Sequence, residues 1–330
     1  MPRRTPLIIG HRGASGYRPE HSESAYRLAF AMGVDAVEPD VVATRDGVLV
    51  VRHENEISGT TDVADHPEFA GRRTTRVVDG GRQTGWFTED FTWEELATLR
   101  TRERLPDIRP SSASFDGSEP ILRLVDLLGL VREASLEHGP EIGVVLEIKH
   151  ATHFAAAGLD LVPLVARDLV ATGWADGGPP LVVESFEPTA LSRLREAGVR
   201  ATYVYLLEAE GKPADLIARD GDAAVGYAAS ATPEGLAALV GVVDGVSVDK
   251  RMILADRGAL VRDAHEQGLL VYTWTCRPEN AFLDRRYRGA GGRAAFGDYA
   301  GEWEELRASG VDGVFVDHPD LGVDVFRPIT

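Results

Sequence analysis

Short apolar runs rich in β-branched residues alternate with amphipathic helical patterns along this chain, and that alternation limits its fold more than any other feature. The runs are Leu7–Gly10, Ala36–Val42, Val48–Arg52, Val144–Ile148, Leu181–Glu184, Ala201–Leu206, Gly245–Val248, Leu269–Thr275 and Gly313–Val316. Arg45-Asp46-Gly47, a turn signal ahead of Val48, marks the third run as a hairpin back from the second. With that hairpin counted as one position, eight strands remain. Helical spacing fills the intervals, at Ser22–Ala31, Ile121–Leu136, Leu159–Ala171, Thr189–Ala197, Pro233–Val240, Gly258–Gln267 and Glu302–Ala308. Strands alternating with helices build parallel βαβ units. Eight of them predict a closed α/β barrel of the TIM type, (β/α)8, rather than an open sheet.

Residues 54–119 break the alternation. They are polar, carry Arg72-Arg73 and the turn-forming Asp79-Gly80-Gly81, and offer a helix start at Thr92-Trp93-Glu94-Glu95. They read as an insertion over one end of the barrel, after the second barrel strand. No Pro/Gly/Ser-rich stretch divides the chain, so residues 1–330 are expected to form a single domain. The net charge of -17 argues against nucleic acid and anionic membranes as partners. It leaves a small phosphate ester open, because local cations or a metal ion can outweigh the global field. The single cysteine, Cys276, rules out an internal disulfide and a CxxC site, and reads as a buried hydrophobe. No run approaches the ~18 apolar residues of a transmembrane segment. The run Leu7-Ile8-Ile9 is shorter than a signal core of ~7–15 residues, so the expectation is a cytoplasmic protein, or a secreted one whose leader has been removed.

In such a barrel the reactive groups sit at the C-terminal strand ends. His11-Arg12-Gly13 follows the first strand, Glu38 and Asp40 lie in the second, and His53-Glu54 ends the hairpin. Glu147-Ile148-Lys149 ends the third barrel strand, Trp274 lies in the seventh, and Asp317 follows the eighth. Side chains two apart on a strand share a face, so Glu38 and Asp40 address one space with Cα atoms roughly 6.6 Å apart. Glu147 joins from another strand. Three carboxylates brought together either protonate or bind a cation. All-oxygen ligands suit a hard ion, so one divalent cation, Ca²⁺ or Mg²⁺, is expected in preference to Zn²⁺. The competing reading, each carboxylate paired with an Arg or Lys, has less support where so many titratable groups converge on one barrel face.

Arg12 and Lys149 can neutralise a phosphate from two sides, Arg12 through its planar fork. Cleaving a phosphodiester takes a base for the nucleophile and an acid for the leaving oxygen, and imidazole, with a pKa of about 6.5, serves either role. His11 and His53 flank the carboxylates and are the candidates. His21, His66, His138, His150, His153, His265 and His318 lack such company and read as surface or supporting groups. Trp274 is read as a wall for a small ligand, and Asp317 as an ordinary salt-bridge partner.

Taken together, these blocks resemble a known family. His11-Arg12-Gly13-Ala14-Ser15-Gly16-Tyr17-Arg18-Pro19-Glu20 is similar to the opening signature of the glycerophosphodiester phosphodiesterases. Glu38-Pro39-Asp40, Val51-Arg52-His53-Glu54, Leu146-Glu147-Ile148-Lys149, Tyr272-Thr273-Trp274-Thr275 and Val316-Asp317-His318-Pro319-Asp320 resemble its later blocks in the same order. The segment after His53 resembles the insertion of the bacterial branch.

The resemblance implies a TIM barrel that hydrolyses glycerophosphodiesters to glycerol 3-phosphate and an alcohol such as choline or ethanolamine. It implies His11 and His53 as the acid–base pair, and Glu38, Asp40 and Glu147 as ligands of one divalent cation. Arg12 and Lys149 would contact the phosphate, and Trp274 would line the glycerol pocket. Glu20 matches a family acid near the site, but His21-Ser22 stands where Asn-Thr is commoner. Two alternatives remain. A lysophospholipase D-type enzyme would need an exposed apolar mouth, which the polar insertion does not offer. An idle phosphodiester-binding barrel would be expected to lack a catalytic histidine, and both are present.

Overall fold

Eight parallel strand positions close on themselves, with helices packed around the outside. The computed structural model describes residues 5–327. Its strands are β1 (Leu7–His11), β2 (Ala36–Glu38), β3 (Asp40–Ala43), β4 (Leu49–Val51), β5 (Thr74–Val78), β6 (Gly81–Gly85), β7 (Gly143–Ile148), β8 (Leu181–Ser185), β9 (Thr202–Leu207), β10 (Gly245–Asp249), β11 (Leu270–Cys276) and β12 (Gly313–Val316). The hydrogen-bonded order is β2-β1-β12-β11-β10-β9-β8-β7-β3-β4, and a further pairing of β2 with β7 closes the ring. The expected barrel is present.

Ala36–Val42, expected as one strand, is divided at Pro39 into β2 and β3. Proline has no N–H for the ladder, yet its carbonyl still accepts from Glu147 N at 2.9 Å, so the barrel wall continues across the break. β4 runs antiparallel to β3, with Val41 opposite Val51, which is the hairpin that the Asp46-Gly47 turn foretold. The insertion carries a second hairpin, β5–β6, that sequence reading did not anticipate. Its two-residue loop has Asp79 at φ 48° and Gly80 at φ 81°, the positive pair that a type I′ turn requires.

Helices begin where the side chains cap them. Ser22 Oγ accepts from Ala25 N at 3.2 Å at the start of helix Glu23–Ala31, worth about 1 kcal/mol for such a cap. Thr92 and Glu95 form a reciprocal capping box for the short helix Trp93–Leu96. Helices Ala151–Ala156, Lys250–Asp256 and Pro319–Phe326 were missed in the sequence, being too short to display a period. No helix among the described residues is long and apolar enough to cross a membrane.

Two apolar layers result. Ile8, Val37, Leu146, Val183, Val246 and Val314 face outward to buried helix residues such as Ala29, Leu127, Val165 and Leu191. Ile9, Ala36, Val145, Val204, Tyr272 and Phe315 form a separate cluster that fills the barrel lumen. Each Val, Leu, Ile or Phe among them is worth roughly 1.5–3 kcal/mol when fully buried. The lumen cluster also positions the site. Two residues beyond Ile9, Ala36, Val145, Val182, Tyr272 and Phe315, on the same strand faces, stand His11, Glu38, Glu147, Glu184, Trp274 and Asp317. The rows that plug the barrel below become polar at its C-terminal mouth.

Candidate active site

Strand register sets the order of these groups around the mouth. His11 lies opposite Glu38, Asp40 opposite Glu147, and Glu147 opposite Glu184. All four carboxylates are buried, as are His11, Arg12 and Lys149. Arg12 has φ 57° and Gly13 φ 85°. A Cβ on Gly13 would lie 2.6 Å from the Ala25 carbonyl carbon, so only glycine allows this turn to pack on the first helix. The turn directs Arg12 N at the Glu38 carboxylate, 2.9 Å away.

Carboxylate oxygens of Glu38, Glu147 and Glu184 lie within 4.8 Å of one another. Glu38 Oε1 and Glu184 Oε2 are buried and take no hydrogen bond from any described residue. Burial, reinforced by Asp40, raises the Glu38 carboxyl well above its ordinary range. Burial and then Glu147 do the same to Glu184. Glu147 is pushed up to about 8 by burial against the opposing pull of Lys149. Asp40 behaves differently. Burial would raise it, but Lys149, His53 and the hydrogen bond from His21 outweigh that and hold it well below the carboxylate range. Lys149 Nζ sits 3.0 Å from Asp40 Oδ1 and 2.6 Å from Glu147 Oε1, in ion-pair contact without hydrogen-bond alignment. Arg12 Nε is 3.4 Å from Asp40 Oδ2.

The sequence paired Glu38, Asp40 and Glu147. The structure brings all three to the mouth and adds Glu184, which sequence reading passed over although it ends a strand in the same phase as Glu147. His21, read as a supporting group, is fully buried, its Nε2 2.9 Å from Asp40 Oδ2 and its Nδ1 2.8 Å from the Tyr26 hydroxyl.

His11 and His53 both line the main cleft, together with Arg12, Glu38, Glu147, Lys149, Glu184 and Trp274. The cleft has a volume of about 1000 Å³. Each histidine has its Nδ1 against a carboxylate: His11 lies 2.6 Å from Asp317 Oδ1, and His53 2.5 Å from Glu54 Oε1. Such a partner places the ring proton on Nδ1 and leaves the Nε2 lone pair for the cleft. Burial, then Arg12, lowers His11 to about 4 against the pull of Asp317. Burial, Arg12 and Lys149 lower His53 to about 3. Both rings are therefore neutral near pH 7. Trp274 stands edge-on to Phe186 with ring centroids 5.9 Å apart, forming an aromatic wall.

Asp317 is more than the ordinary salt-bridge partner expected, because it backs His11 while bound to Arg109 and Arg277. Glu20 ion-pairs with Arg12 and Arg104. Arg104 and Arg109 come from the insertion, and nothing in their local sequence pointed to the site.

Comparison with known proteins agrees with this architecture. The chain is 29% identical to a glycerophosphodiester phosphodiesterase of Arabidopsis thaliana, over 94% of this chain and 83% of the relative. It is 25% identical to a glycerophosphodiester phosphodiesterase of Haemophilus influenzae, over 98% of this chain and 90% of the relative. A solved structure from Silicibacter pomeroyi superposes with a TM-score of 0.68 at 24% identity, covering 98% of this chain and 93% of that one. A phosphodiesterase of Oleispira antarctica, solved with its product sn-glycerol-3-phosphate, gives 0.64 at 18% identity, with 98% and 97% covered. These two likenesses establish the fold. The profile of the "Glycerophosphoryl diester phosphodiesterase family" matches residues 11–321, from the first candidate histidine to just past the last barrel strand, and the chain therefore belongs to the glycerophosphoryl diester phosphodiesterase family.

Proposed function

We propose that this phosphodiesterase hydrolyses glycerophosphodiesters such as glycerophosphocholine and glycerophosphoethanolamine to glycerol 3-phosphate and an alcohol, with one divalent cation and with His11 and His53 as the acid–base pair. The observation that carries this reading is two imidazoles, each backed by a carboxylate, in one cleft with a cluster of buried carboxylates and two cations.

The donor set fits a hard cation. Glu38 Oε1 and Glu184 Oε2 are buried without partners, and such oxygens need a proton or a metal ion. Glu38, Asp40 and Glu147 would hold the ion, with Glu184 beside them. Asp40 is kept ionised by its cationic neighbours, the state that a ligand needs. When bound, a Ca²⁺ or Mg²⁺ ion supplies Lewis-acid withdrawal of charge from a phosphoryl oxygen. Arg12 and Lys149 hold the phosphate, and Trp274 walls the glycerol. One histidine takes a proton at Nε2 from the attacking oxygen, either water or the glycerol 2-hydroxyl. The other, protonated once the anionic phosphate lies beside it, gives its Nε2 proton to the departing alcohol oxygen. The volume of the cleft leaves room for a headgroup beyond the glycerol phosphate.

The test is release of glycerol 3-phosphate from glycerophosphocholine by purified protein, with Ca²⁺ or Mg²⁺ and after chelation. Activity lost on chelation and restored by cation is expected. No release with either ion from folded protein would overturn the reading and turn attention to micellar lysolipids. Phosphorus NMR during turnover separates the nucleophiles, because attack by the 2-hydroxyl passes through a cyclic phosphate.

A further inference from the structure

We propose that the insertion acts as a positioning clamp for both histidines: Arg104 and Arg109 each hold the carboxylate that orients one of them. This rests on the assignment of His11 and His53 made above, and neither arginine is proposed to touch substrate.

The first arm runs to His11. Asp317 Oδ1 faces His11 Nδ1 at 2.6 Å, while its Oδ2 accepts from Arg109 Nη2 at 2.6 Å and from Arg277 Nε at 2.7 Å. Arg109 is buried and also donates to Glu279 Oε1 at 2.7 Å and to the Ser15 carbonyl at 3.0 Å. The second arm runs to His53. Glu54 Oε1 faces His53 Nδ1 at 2.5 Å and also accepts from Arg104 Nη1 at 2.9 Å, and Glu54 Oε2 accepts from Arg104 Nη2 at 2.6 Å. The same guanidinium grips Glu20 with Nε at 2.7 Å and Nη2 at 2.6 Å, and Glu20 Oε2 accepts from Arg12 Nη1 at 3.0 Å.

The two arms share one mount. The chain turns between Arg104 and Arg109, with Arg109 N donating to the Leu105 carbonyl at 2.8 Å. Buried Glu103 ties the turn internally, accepting from Leu105 N at 2.8 Å and from Ser112 Oγ at 2.5 Å. Pro106 and Pro110 restrict its backbone further. One turn therefore delivers two guanidinium groups five residues apart in sequence, one to the carboxylate behind each histidine. Neither arginine lines the main cleft, and each reaches a histidine through a carboxylate. Glu54, held at both oxygens by Arg104, keeps Oε1 aimed at the His53 Nδ1–H, and Asp317, held at Oδ2 by Arg109 and Arg277, keeps Oδ1 aimed at that of His11, which sets each tautomer and ring angle. A lysine, as a point charge, supplies the charge without the fork.

The test compares R104Q and R109Q with R104K, in protein carrying ¹⁵N-histidine, with the signals of His11 and His53 assigned from H11N and H53N. In wild type, long-range ¹H–¹⁵N correlations should show both rings protonated at Nδ1. R104Q should disturb the pattern of His53 and spare that of His11, and R109Q should do the reverse. Each should lower kcat by about 10–100-fold, the usual cost of losing an outer orienting partner, with KM little changed in R109Q. R104K should not restore kcat. The proposal is overturned if R104Q leaves the His53 pattern and kcat at wild-type values, if R104K rescues fully, or if either variant disturbs both rings alike. Should R109Q fail to fold, the arm through the less buried Arg104 decides the matter alone. The NMR pattern is read on resting protein and stands independently of turnover, whereas full activity in H11A or H53A would overturn the acid–base assignment and leave the clamp geometry intact.

Discussion

Adding Ca²⁺ or Mg²⁺ to cation-free protein should raise its melting temperature, and the rise should depend on pH in a defined direction. Glu38, Asp40, Glu147 and Glu184 are buried together, three of them with oxygens within 4.8 Å. A ligand that binds only the folded state stabilises it by about 2.7 kcal/mol at a hundredfold excess over its dissociation constant. For 330 residues, an unfolding entropy of roughly 0.7 kcal/mol/K follows from per-residue averages, which makes the rise about 4 °C. Glu147, pushed up to about 8, is mostly protonated at pH 7 and must lose that proton to bind a cation. A raised carboxyl pKa means that the cation competes with the proton below 8. Apparent affinity should therefore rise between pH 6 and pH 8, by about tenfold per pH unit for each proton displaced. Thermal melts titrated with Ca²⁺ or Mg²⁺ against EDTA at pH 6, 7 and 8 measure both effects. E147Q should lose most of the cation shift and its pH dependence together. A rise below about 1 °C at millimolar cation, or an affinity indifferent to pH, would refute the carboxylate cluster as the cation site.

Three further outcomes are expected. H53A should lose ~10²–10⁴ in kcat, the range for a general acid–base group, and near-normal turnover in the glycerophosphocholine assay would remove His53 from the mechanism. Cys276, fully buried with its thiol pushed up to about 12 by burial, should resist a thiol reagent at pH 8 in native protein and react at once in denaturant; rapid labelling of the folded protein would contradict the packing. Lys250 pairs with Glu302, whose other oxygen accepts from Asp284 N at 2.6 Å, and both partners are buried. K250M should therefore cost about 3–5 kcal/mol in urea unfolding, the penalty for stranding a buried charge, and a loss under 1 kcal/mol would show that Glu302 finds water or another partner.

The barrel was legible because its pattern is local. A strand in a closed parallel barrel is buried on both faces, so it reads as an apolar run, and the helix that covers it reads as a period of 3.6. The polar ends of those runs named His11, Glu38, Asp40, Glu147, Lys149 and Trp274, all of which the structure brings to the mouth. The turn signals at Asp46-Gly47 and Asp79-Gly80 were visible as well, although the second hairpin was not inferred from its turn. Helices of a turn or two, such as Ala151–Ala156, carry too few residues to display a period.

Legible in the sequence alone are the eight barrel positions and the alternation along each strand that governs which side chains face the lumen. Phase repeats every two residues and needs no knowledge of neighbours. Which of those groups meet depends on how the chain closes and packs. Barrel closure sets the register that lays Glu147 against both Asp40 and Glu184, and three-dimensional packing turns His21 onto Asp40 and divides the carboxylates into an ionised one and three raised ones. Arg104 and Arg109 lay furthest from sequence reading. They sit in an irregular loop without a period, and they reach Glu54 and Asp317 only because the folded insertion returns to the barrel mouth.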